Sequence, residues 1–242
     1  MQSKCFNELI EQNQIYLYLT EKLDIPKHLL KEKIGRVCGQ MNLNHQLIEA
    51  ILKSYDDNYD FPYAEFNTFS AEEIINYLEV THRYYLMKKL PEMEQTVFQV
   101  FNKYNESHKL LSLLCLFFAD YKKKLEEHIR FEEEKLFPYI KSLSQLNNQS
   151  SPEAINAVLD SFSLQEFIVN HNKVEDDLQE VRNIILKYKA EKSTPLPYRI
   201  FLTQLQNFEL ELSRHALIED EILLPRMLQK EASLQTKRRA SI

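Results

Sequence analysis

Glycine is almost missing from this chain. Only Gly35 and Gly39 occur in 242 residues, so the chain lacks the turn residues that a sheet needs every eight to twelve positions or so. The three cysteines, Cys5, Cys38 and Cys115, are scattered and form neither a CxxC nor a disulfide framework. No apolar run reaches the roughly 18–20 residues of a membrane span. The segment Met1 to Glu8 has no apolar core of the kind a signal peptide carries. These absences predict a protein of the reduced cytoplasm with no membrane partner. The net charge is −6, and the one basic cluster, Lys237-Arg238-Arg239, lies in a C-terminal tail. Nucleic acid is therefore not expected as a partner. What is present is long stretches of Leu, Glu, Lys, Ile and Gln, which argue for helix throughout. The predicted fold class is all-α.

A polar cluster, Asp56-Asp57-Asn58-Tyr59-Asp60-Phe61-Pro62, separates two regions. Before it, 6–20, 26–38 and 43–54 read as three short helices, the third capped by Asn42 or Asn44. The expected domains are thus 1–62, small and helical, and 63–242. In the second region Ser70 to Glu73 forms a capping box that opens a helix running to about Tyr104. After a turn at Asn105-Glu106-Ser107, a second helix runs to Phe137-Pro138 or a little beyond. A short helix fits 152–161, a third long helix 163–190 and a fourth 198–229, with Pro225 expected to kink or end it. Four long helices with short turns predict an up-down bundle.

One motif occurs twice. His128-Ile-Arg-Phe-Glu132-Glu-Glu-Lys-Leu-Phe-Pro138 matches His215-Ala-Leu-Ile-Glu219-Asp-Glu-Ile-Leu-Leu-Pro225. Four residues is close to one helical turn, so each His and Glu project from one face roughly 6 Å apart. A single His-x-x-x-Glu is common on solvated helices, but a solvated face has no reason to repeat the apolar-Pro ending.

Helix heights bring in two more histidines. His82 lies 23 residues before Asn105 and His128 lies 23 after it, while His171 and His215 lie 22 residues on either side of Ser193. In antiparallel hairpins each pair stands at one level, so four imidazoles and two carboxylates share a layer. The competing reading is four unrelated histidines, each hydrogen-bonded separately. His108 is 20 residues from His128, roughly 30 Å along a straight helix, and reads as a turn residue. His28 and His45 read as surface or capping residues.

Mixed imidazole and carboxylate donors suit iron, manganese or zinc, and paired bridging carboxylates imply a dinuclear centre. The histidine-rich order resembles the hemerythrin-like family rather than the Glu-x-x-His pattern of ferritin-like proteins. Within that family the chain resembles the repair-of-iron-centres group, di-iron proteins linked to recovery of damaged iron–sulfur clusters. Thr81-His82-Arg83-Tyr84-Tyr85-Leu86 with Leu90-Pro91 resembles the group's first ligand segment. The two His-x-x-x-Glu motifs resemble its second and fourth segments, and Asn170-His171-Asn172 its third. Ile34 to Leu43 resembles the later part of the group's N-terminal domain, without the adjacent cysteines usual there. Arg83 stands where many relatives have a second histidine.

The resemblance implies two non-haem iron ions, oxo- or hydroxo-bridged. His82, His128, His171 and His215 would be terminal ligands, with Glu132 and Glu219 as bridges. It further implies a role in iron–sulfur cluster repair after nitrosative or oxidative stress, with oxygen or nitric oxide as small ligands and damaged iron–sulfur proteins as partners. The alternatives are an oxygen or nitric oxide binding or sensing module without repair activity, and turnover of nitric oxide. Whether the chain is an enzyme stays open. Tyr84, Tyr85, Phe131 and Phe137 read as core, with walling of the site as the alternative. Glu133, Glu134, Asp220 and Glu221 read either as partners of the ligating imidazoles or as a solvated face.

Overall fold

The computed structural model describes residues 4–56, 59–104, 109–147, 149–170 and 196–240. All regular structure among these residues is helical, and the sole β pairing is an isolated bridge between Cys5 and Lys33. The chain divides into two compact units, Met1–Tyr84 and Tyr85–Ile242.

The first unit holds α1 (Phe6–Gln12), α2 (Ile15–Lys22), α3 (Ile34–Gln40), α4 (His45–Ser54), α5 (Tyr63–Phe66) and α6 (Ala71–Tyr84). The single helix expected over 6–20 is split. The Asn13 side chain accepts the N–H of Ile15 at 3.0 Å, offering the backbone a local alternative to the helical ladder. The helix expected over 26–38 is displaced. Pro26 opens only a 3-10 turn, Lys27–Leu29, and α3 begins at Ile34. Asn42, with φ 53°, takes a left-handed conformation just past the end of α3. Asn44 is the cap of α4, its Oδ1 accepting from the N–H groups of Gln46 and Leu47 at 3.0 and 3.2 Å.

The capping box of α6 forms as the sequence requires. Glu73 N–H donates to Ser70 Oγ at 3.1 Å, and Ser70 N–H donates to the Glu73 carboxylate at 2.9 Å. The same carboxylate accepts from Asn44 Nδ2 at 2.7 Å, tying one helix start to the next. The Ser70 hydrogen bonds hold Glu73 below the usual carboxylate range.

Side-chain ties hold α6 to the N-terminal helices within the first unit. Lys22 of α2 is buried, donates to the hydroxyl of Tyr77 at 3.2 Å and lies 5.2 Å from that ring's centre. The Tyr84 hydroxyl donates to Glu21 at 3.1 Å. Cys38 is also buried in this unit. Burial, with a smaller contribution from Glu49, pushes its thiol up to about 11.

The second unit comprises a π-helical turn (Tyr85–Lys89), α7 (Leu90–Tyr104), α8 (Lys109–Phe131), a second π turn (Glu132–Leu136) and α9 (Phe137–Gln145). Then come α10 (Pro152–Leu159), α11 (Leu164–Asn170), α12 (Leu196–Ile218), a third π turn (Glu219–Leu223) and α13 (Leu224–Ala240). α7 packs against both α8 and α12, and α13 packs against α9, α10 and α11. Glu231 of α13 is buried and accepts from the Tyr139 hydroxyl at 2.5 Å and from the N–H of Leu164 at 3.2 Å. One carboxylate thereby satisfies a helix start and holds three helices together. Of the helix expected over 163–190, only α11 lies within the described residues.

Pro225 does not end the last helix. The helical run continues from Leu196 to Ala240, and the π turn immediately before Pro225 is the reason. A proline ring collides with the carbonyl four residues back and has no N–H to donate. A wide turn with one extra residue relieves both conflicts.

Candidate metal centre

Each half of the repeated motif sits at the same place in its helix. His128 is in the last turn of α8, and Glu132 begins the π turn. His215 is in the last turn of α12, and Glu219 begins the next π turn. The wide turns are visible in the hydrogen bonds. Phe137 N–H donates to the Glu132 carbonyl, and Leu224 N–H donates to the Glu219 carbonyl, each five residues back. A third copy follows His82. Its π turn, Tyr85–Lys89, precedes Leu90-Pro91 just as the other two precede Phe137-Pro138 and Leu224-Pro225. In all three the proline is the second residue after the wide turn. π turns of this kind recur at functional sites, because the extra residue re-aims side chains within an otherwise regular helix.

The apolar stripe of α12 explains how its pair is placed. Leu205, Phe208 and Leu212 are buried at helical spacing, and the next positions on that face are His215 and Glu219. On α8 the stripe is Tyr121 and Leu125, then His128 and Glu132. Polar residues thus occupy positions that packing reserves for apolar ones. Glu132 is 0 % exposed and Glu219 2 %. Nε2 of His128 is 2.7 Å from Oε1 of Glu132, and Nε2 of His215 is 3.6 Å from Oε2 of Glu219.

His82, on the last turn of α6, is 1 % exposed. Within the second unit, His128 and Glu132 form one His/Glu pair and His215 and Glu219 another, both carboxylates buried. Five of the six sequence-predicted ligands lie within the described residues. The sixth, His171, lies outside the described residues, as does His108. The donor set is all nitrogen and oxygen, which suits a transition metal of borderline hardness. Two carboxylates buried this deeply are costly without nearby positive charge, which a bound cation would supply.

The flanking residues sort themselves by exposure. Tyr85 packs its ring 6.0 Å from that of His215 and edge-on to Phe208 at 5.1 Å, so it does wall the group. Phe137 is buried core, whereas Phe131 is 44 % exposed and stacks on Phe167. Tyr84 is occupied with Glu21. Arg83, Glu133, Glu134 and Glu221 are exposed, and Asp220 is half-buried. His28 is exposed, and His45 begins α4 with its ring beside Gly35, where an added Cβ would lie 3.5 Å from Nε2. Sequence reasoning missed Glu211. It is 1 % exposed, one turn before His215. Its signal was a glutamate four residues before the second motif, on the stripe that Phe208 and Leu212 define.

No protein-family model matches this chain, and no curated protein matches it. The site's own geometry therefore carries the functional argument.

Proposed function

We propose that this chain is a hemerythrin-like four-helix bundle holding two iron ions, of the type that acts in repair of iron–sulfur clusters after nitrosative or oxidative damage. His82, His128, His171 and His215 would be the terminal ligands, with Glu132 and Glu219 as bridges. The observation that carries the reading is the repeated buried pair. Two His-x-x-x-Glu units each open a π turn ahead of an apolar-Pro step, with carboxylates 0 % and 2 % exposed.

With four imidazoles and two carboxylates over two metals, positions stay open for oxygen or nitric oxide, and the loose ligation suits release of iron to a damaged cluster protein. The residues themselves orient and exclude. The π turns fix the carboxylates on the core side of their helices, and the Tyr85 and Phe208 rings keep water from the flank of His215. The full chain, purified without oxygen, is expected to carry about two irons and to show near-ultraviolet absorption after brief air exposure. Both properties are expected to disappear in Glu132→Ala/Glu219→Ala. One zinc, or no metal, would sink the reading. Recovery of activity in a nitric-oxide-damaged iron–sulfur enzyme, with and without the protein, then tests repair.

A further inference from the structure

Glu231 lies in α13, downstream of the second motif copy, yet both of its hydrogen bonds lead back to the first. The residue is 2 % exposed, and its Oε1 accepts from the Tyr139 hydroxyl at 2.5 Å and from the Leu164 N–H at 3.2 Å. Along the first route the Tyr139 ring meets Phe162 at 5.2 Å, and Phe162 meets Phe131 at 6.2 Å. Along the second, Leu164 opens α11, and Phe167 of that helix stacks on Phe131 at 5.8 Å with the ring planes 6° apart. Phe162 and Phe167 also meet, at 6.2 Å, so the contacts close into a ring. Its far end, Phe131, stands inside the motif, between His128 and Glu132.

The same position in the second copy is Ile218, 1 % exposed and enclosed by the core. Phe131 is far more exposed, so core packing encloses only part of it. Aromatic pairs have preferred orientations, and the ring layer therefore supplies the support that the core gives Ile218. We propose that Glu231 is a positioning residue for the His128–Glu132 half of the metal centre, acting on Phe131 through Tyr139 and α11. This rests on the metal reading above. Ligands hold a metal tightly only while supporting contacts keep their geometry fixed. Removing the shared acceptor frees Tyr139 and the start of α11 together and leaves Phe131 without its backing. The His215–Glu219 half, steadied by Ile218, keeps its geometry.

Iron release separates the two halves. The full chain is loaded with ferrous iron under nitrogen and challenged with a colorimetric chelator. In Glu231→Leu, one of the two irons is expected to leave roughly 10-fold faster than in wild type, with the other little changed. Glu231→Gln keeps an oxygen for both donors and is expected to release iron as wild type does. Tyr139→Phe keeps the ring against Phe162 and loses only the hydroxyl. It is the milder variant, and the same one-iron effect is expected at smaller size. Phe131→Ala, at a half-exposed position, leaves the hydrogen bonds of Glu231 in place and is expected to reproduce the one-iron effect in full. Equal acceleration of both irons in Glu231→Leu or Tyr139→Phe would assign Glu231 to general stability and overturn the proposal. Wild-type release from Phe131→Ala, or a Gln variant as leaky as the Leu variant, would overturn it too. If wild type takes up no iron, the metal reading fails and this inference goes with it. Normal loading of wild type with unchanged release in all the variants defeats the inference alone.

Discussion

Glu132 accepts the backbone N–H of Phe137, five residues on, so the residue offering its carboxylate to the buried group is also the one whose carbonyl opens the wide turn. Glu219 and Leu224 repeat the relationship. Ligand placement and proline tolerance thus come from one local device. The extra residue in the turn makes room for Pro138 or Pro225, and it re-aims the helix face so that both the motif and the following apolar residues point inward.

That coupling predicts a small effect for Pro225→Ala. A proline forced into a regular helix costs about 3 kcal/mol, so its removal would stabilise by that amount if the helix were strained. With the wide turn already accommodating it, the change in urea-unfolding stability is expected to stay within about 1 kcal/mol. A gain near 3 kcal/mol would show that the turn does not relieve the proline.

Metal linkage gives a second test. Ferrous iron added without oxygen at about 100 times its dissociation constant is expected to stabilise wild type by about 2.7 kcal/mol per site. Glu132→Ala is expected to lose most of that gain, since Glu132 is a proposed bridging ligand and pairs with His128. Calorimetric scans with and without iron would show it. An equal rise in the variant would remove Glu132 from the ligand set.

The N-terminal unit is sensitive at Asn44. Asn44→Ala removes the acceptor for two orphan N–H groups and the tie to Glu73, and is expected to destabilise by about 1–2 kcal/mol in denaturant unfolding. Glu73 adds a pH signature. Its folded pKa is depressed, so the stability it contributes is present above its unfolded pKa and lost as pH falls through the lower folded value. Glu73→Gln is expected to flatten the stability profile on that acid side. A profile unchanged from wild type would count against the Ser70 hydrogen bonds.

Cys38 is expected to be inert. A thiol pushed up to about 11 and buried among apolar residues has little thiolate at neutral pH. Native wild type and Cys38→Ser should therefore label with the same number of iodoacetamide groups at pH 8, and differ by one only after unfolding. A one-group difference in the native proteins would show an accessible, reactive thiol.

The all-helical class was legible from glycine scarcity together with the long Leu-, Glu- and Lys-rich stretches, and helix starts were legible where a side chain supplies the missing acceptor, as at Ser70 and Asn44. The His-x-x-x-Glu repeat was legible because helical period is fixed and local, so spacing four apart means one face regardless of fold. What sequence reasoning could not reach was set by competition between local and distant terms. Asn13 divides a helix by a single side-chain hydrogen bond, and Pro225 sits inside a helix because one residue of wide turn absorbs it. Glu211 looked like any surface glutamate until packing placed it at 1 % exposure between Phe208 and His215. Periodicity determines which residues share a face, whereas burial of that face, and so the energetic meaning of a charge on it, is decided only when the helices pack.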